Sequence, residues 1–159
     1  VLADETQTWQ LLRDCDDPDH LEFPADYRQD RANARFNQLA GGLDAAFGGR
    51  CLIDRGQDAS FHGRIDIPIV ASATGRQLTV VISNFGDLAV LAVDNPGVWD
   101  DAETAELLHP VDANRIHRAL DELGYTLIRE DPLWEPYDGT VMYLREHAAK
   151  WWERYFDYL

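Results

Sequence analysis

"SFHGRIDIPIVASATGRQLTVVISNFGDLAVLAV" (residues 60–93) decides the fold. Its first part alternates. Phe61, Gly63, Ile65 and Ile67 take one side, and His62, Arg64 and Asp66 take the other, the period-two pattern of a strand. Thr74-Gly75-Arg76 reads as a turn. "LTVVIS" (78–83) and "LAVLAV" (88–93) are nearly continuous apolar runs, as strands are when both faces are covered. Asn84 to Asp87 joins them as a hairpin loop. The stretch is therefore an antiparallel meander at the centre of a sheet.

The flanks extend this reading. "CLIDR" (51–55) is a short strand, and "YTLI" (125–128) is a strand at the sheet edge. Helices are expected at 4–15, from Pro24 to Phe47, at 101–108, and at 112–123 with Asp112 as N-cap. Gly41-Gly42 in the second helix suggests the close approach of another backbone. Gly48-Gly49 ends that helix. Leu144, Ala148, Trp151, Trp152, Tyr155 and Leu159 form an apolar stripe, expected to dock one helix (144–159) on the sheet or, failing that, to form a homodimer. The class is α+β: one domain with a central, largely antiparallel sheet of four to six strands, flanked by helices from both ends of the chain.

Charge narrows the partners. The 159 residues carry 29 acids against 14 bases, a net charge of −15, and Lys150 is the only lysine. Such a chain repels a phosphate backbone and an anionic membrane surface, so neither nucleic acid nor membrane is expected. Cys15 and Cys51 have no metal-site spacing, and two thiols suggest a reducing, cytoplasmic setting. No metal or cofactor is expected. Crowded carboxylates should raise one another's pKa, so that stability holds or rises as pH falls toward about 5.

Two acidic turns contain tryptophan: "DNPGVWDD" (94–101) and "EDPLWEPYDG" (130–139). Proline stiffens both. Trp99, Trp134 and Tyr137 are the residue types that anchor binding surfaces. Asp94, Asp100, Asp101, Glu130, Asp131, Glu135 and Asp138 would steer a cationic partner toward them. In the alternative, the rings close the edge of the core. The only catalytic candidates are His62, Arg64 and Asp66, which alternation puts on one face of a strand, where the acid would orient the base. No nucleophile motif accompanies them.

Together these features favour a non-enzymatic protein that meets a basic protein through an acidic, aromatic surface. In composition alone it is similar to the small acidic bacterial immunity proteins, which neutralise toxins. The runner-up is a small enzyme or ligand-binding domain using the polar face of strand 61–67.

Overall fold

The computed structural model describes residues 1–158. Its five-stranded sheet runs in the order β1-β2-β3-β4-β5. The strands are β1 (Leu52–Arg55), β2 (Phe61–Ile67), β3 (Leu78–Ser83), β4 (Leu88–Val93) and β5 (Thr126–Leu127). The first four pair antiparallel, and β5 joins β4 in parallel at the edge. The expected α+β class, meander and edge strand are all present.

Helices cover both faces, which is why β3 and β4 contain so little polar surface. On one face, α2 (Gln29–Phe47) and α4 (Pro110–Glu122) pack over Ile65, Ile67, Leu78, Val80, Ile82, Ala89 and Val93. On the other, α1 (Glu5–Asp14) and the C-terminal segment cover Phe61, Val81, Leu88 and Val90. The strands alternate between two cores, as a period of two requires. The Asp4 side chain caps α1 in a capping box with Gln7. The Asp100 side chain does the same with Glu103 for α3 (Asp101–Leu107). Cys15 and Cys51 are both free thiols.

Four local expectations are corrected. First, α2 starts at Gln29, because Pro24–Arg28 is spent on a turn closed by Tyr27 N–H donating to the Pro24 carbonyl. Second, no atom approaches the Cβ positions of Gly41 or Gly42, so they receive no neighbouring backbone. Third, α4 is capped by His109 with Pro110 in the first turn. Asp112 is instead fully buried and accepts from Ala73 N–H, tying α4 to the loop before β3.

The fourth correction concerns the C-terminal stripe, which is not one helix. The chain forms α5 (Met142–Glu146), breaks, and forms α6 (Trp151–Phe156). At the break Ala148 takes φ 52°, in the left-handed region. The reason is competition for backbone hydrogen bonds. Tyr137 N–H donates to the Ala149 carbonyl and Trp151 N–H to the Glu135 carbonyl, so 149–151 runs beside the aromatic loop and satisfies its backbone. Docking on the sheet holds: Leu144, Trp151, Tyr155 and Phe156 are buried. Of the remaining stripe residues Ala148 is exposed and Trp152 half-buried, and Leu159 lies outside the described residues. No helix among the described residues is long and apolar enough to cross a membrane.

Candidate functional site

The parallel pairing of β4 with β5 puts the two acidic turns at the same end of the sheet, since each follows the C-terminal end of its strand. They then interlock. The Asp101 carboxylate accepts from Glu130 N–H and Asp131 N–H, both at 2.9 Å, while the Asp131 carboxylate accepts from Asp101 N–H at 2.9 Å. Two acids that sequence alone reads as steering charges are thus also the staples between the loops.

Trp134 lies at the junction. Its ring stacks on Trp152 (centroids 4.9 Å apart, planes 12° from parallel). Gly97 of the first loop packs against it, and a Cβ there would meet the ring at 3.1 Å. Gly97 also has φ 87°, so two demands fix glycine at this position. Trp134 Nε1–H and Gly97 N–H both donate to one oxygen of Glu130, each at 2.7 Å. Trp134 as a whole remains 36% exposed.

The other loop aromatics point inward. Trp99 is half-buried against the α2-side core, donates to Asp94, and carries the Arg76 guanidinium over its ring. Its role is to close the core edge. Tyr137, expected at the partner surface, is 5% exposed. Its hydroxyl donates to Asp16 and accepts from Val141 N–H, and burial pushes its pKa up to about 12. Its ring packs tilted against Trp151 in the second core, 4.6 Å between centroids, and its hydroxyl is satisfied. Asp138 is exposed but faces Arg13 at 3.2 Å, and Asp94 pairs with Arg76. Asp100, Asp101, Asp131 and Glu135 have no cationic partner among the described residues.

Glu130 differs from these neighbours. It is 4% exposed, and burial raises its pKa against the two hydrogen bonds that favour the charged form. Asp131 is raised as well, by partial desolvation and then by Asp101, Asp100 and Glu5. Both groups hold stability that is fully present below their unfolded pKa and is lost as pH rises through the folded value. His62 and His117 act in the opposite direction. Burial lowers both, so their contribution is present above about 6.5 and is lost as pH falls. Acidification from neutral therefore first costs the histidine contribution and then regains the carboxylate one. Glu130→Gln keeps an acceptor oxygen and removes the titration. Its stability relative to wild type should decline as pH falls from about 7 to about 4. Chemical denaturation at each pH reads this, and a constant difference would assign the pH response to other groups.

The expected catalytic row does not assemble. β2 carries a bulge: Phe61 pairs with Ser83 and Gly63 with Ile82, leaving His62 as the extra residue. The bulge shifts the alternation. Phe61 turns to the α6 face with Arg64 and Asp66, and His62 turns to the α2 face, where its ring meets Phe36 edge-on. Arg64 and Asp66 pair at 2.8 Å, and Thr79 donates to the same carboxylate. Arg64 also donates to Asn95, so the pair braces the base of the first acidic turn. The three residues do not share one face.

Sequence reasoning missed Trp152, Asp16 and Arg154. The first shared an apolar stripe with five other residues, and the other two looked like ordinary charges in a charged chain.

Comparison with protein families, with curated proteins and with solved structures returns no match.

Proposed function

We propose that the protein is a non-enzymatic binding module that receives a basic protein on its interlocked acidic loops, in the manner of an immunity-type inhibitor. One observation carries the reading. Asp100, Asp101, Asp131 and Glu135 lie on the two interlocked loops that hold a stacked, partly exposed Trp134–Trp152 pair, and they have no cation of their own among the described residues. Asp131 already feels the repulsion of Asp100, Asp101 and Glu5. A cationic partner relieves that repulsion, and the rigid indole edge supplies apolar contact at little entropic cost. Because Asp101 and Asp131 also fix the loops to each other, the surface is built before the partner arrives.

The test is binding to the basic product of a neighbouring gene, followed by stopped flow at several ionic strengths. The association rate should fall by about tenfold or more between low and physiological salt. Glu135→Lys should slow association and change release little, since Glu135 is an exposed charge with no structural partner of its own among the described residues. Trp134→Ala should mainly speed release. A salt-independent association rate, or an unchanged rate in the charge-reversed variant, would sink the reading.

A further inference from the structure

At the opposite end of β4, far from the acidic loops, the molecule concentrates its scarce cations. Arg28, Arg31 and Arg35 lie at one end of α2 and all line a cavity of about 380 Å³. The volume is within the range of small-ligand pockets, about 300–1,000 Å³. Tyr125 and His62 form part of its wall.

Two of the wall groups are fixed in place. Arg35 lies over the Tyr125 ring at 4.3 Å, donates to the Leu123 carbonyl and pairs with Asp87. Arg28 has only a long contact to Asp30, 3.9 Å, and Arg31 has no ion pair among the described residues. Asp26 is the one further acid on the lining once Asp87 is counted with Arg35.

The second fixed group is His62, and its tautomer follows from its neighbour. Asn84 spends both amide hydrogens on backbone carbonyls, those of Glu22 (3.1 Å) and Ala59 (3.0 Å). Its amide oxygen therefore faces His62 Nδ1 at 3.1 Å, and Nδ1 must carry the proton. Tyr27 then donates nothing to Nδ1 and only accepts there, at 3.3 Å. In the neutral ring Nε2 is left with its lone pair and no partner among the described residues. It is also absent from the fully enclosed unpaired atoms, Asp112 Oδ1 and Trp151 Nε1, so it is open to solvent space, and the ring lines both this cavity and an adjoining one of about 550 Å³ beside Arg55. Burial and the nearby Arg55 and Arg35 keep that ring neutral.

We infer that this cavity is a binding site for a small phosphomonoester, with Arg28 and Arg31 taking the phosphate oxygens and His62 Nε2 accepting a hydrogen bond from a ligand hydroxyl or the P–OH group. Guanidinium forks match phosphate geometry, and each charge-assisted bond is stronger than a neutral one. A polyanion is disfavoured, because a long nucleic acid must run over a chain of net charge −15, whereas a small ligand meets only the local cations. The site is independent of the acidic loops, and failure of either reading leaves the other standing.

The test is a titration with inorganic phosphate and with phenyl phosphate at constant ionic strength and about pH 6, where the P–OH donor is populated, followed by ¹⁵N NMR of the arginine Nε and histidine ring nitrogens. Saturable shifts are expected at Arg28, Arg31 and His62 Nε2, with Nδ1 protonated throughout and phenyl phosphate the tighter ligand. Arg31→Glu, at an exposed position, should weaken binding by about tenfold or more, the effect of one lost charge-assisted bond. Arg118→Glu, on α4 and outside this cavity, should leave it unchanged. Four results would each overturn the site: no saturable shift with a Kd near 1 mM or tighter, equal weakening by Arg118→Glu, a histidine protonated on Nε2, or tighter binding of a single-stranded oligonucleotide than of phenyl phosphate.

Discussion

Asp16→Ala should destabilise the protein by about 3–5 kcal/mol, the usual cost of stranding one partner of a buried ion pair. The side chains of Asp16 and Arg154 are 3% and 0% exposed and meet at 2.8 Å. Every polar arm is used. Asp16 also accepts from Tyr137 and from Thr140 N–H. Arg154 donates to the carbonyls of Asp17, His20 and Leu21 and lies over the Phe85 ring. The acidic loop after α1, which has no regular structure of its own, is held by this arginine. Arg154→Met should cost a similar amount, and the double variant less than the sum of the two, because no charge is left buried without a partner. Urea denaturation of the three variants decides the matter. Additive losses would mean that the two residues act separately.

Trp151→Ala should cost about 3–5 kcal/mol as well, through a different mechanism. The indole is fully buried among Trp9, Tyr137 and Tyr155, with centroids at 5.9, 4.6 and 6.2 Å. Truncation opens a cavity in the smaller of the two cores, under both α1 and the aromatic loop. Trp151→Phe should cost well under half as much, since the indole N–H it removes has no hydrogen-bond partner to lose. A thermal melt that barely moves in Trp151→Ala would mean that the second core is not what holds the C-terminal segment. Either loss is a large fraction of the 5–15 kcal/mol typical of a domain.

What sequence made legible follows the period of the side chains. β3 and β4 are apolar at all but Thr79 and Ser83, and the structure covers both their faces. The alternation of β2 was equally plain, yet it misplaced His62, because a single bulged residue reverses the facing of everything before it. Nothing local marks that bulge. It arises where Gly63 lets the Phe36 ring close against the strand, at 2.5 Å from where a Cβ would sit. The C-terminal stripe failed differently. Its residues are buried as their spacing implies, but a distant loop took over the backbone at 149–151. For the candidate surface, Trp134 and its acids were readable from composition, whereas Tyr137 was not separable from them. Its burial depends on Asp16, more than a hundred residues away. Arg28, Arg31 and Arg35 carry no signal in a charged chain, and only the folded cavity gives them a common target.

The Asp16–Arg154 contact spans 138 positions, and Tyr155 donates to the Leu12 carbonyl across 143. During synthesis the first helix therefore emerges from the ribosome long before the residues that will hold it. The meander can pair and receive α2 meanwhile, but α1 must wait with Leu12 and Trp9 uncovered. Closing so long a loop is a late and slow event. Until the residues of α6 are made, the nascent chain thus exposes the apolar side of α1, and that interval is when chaperone capture would matter most.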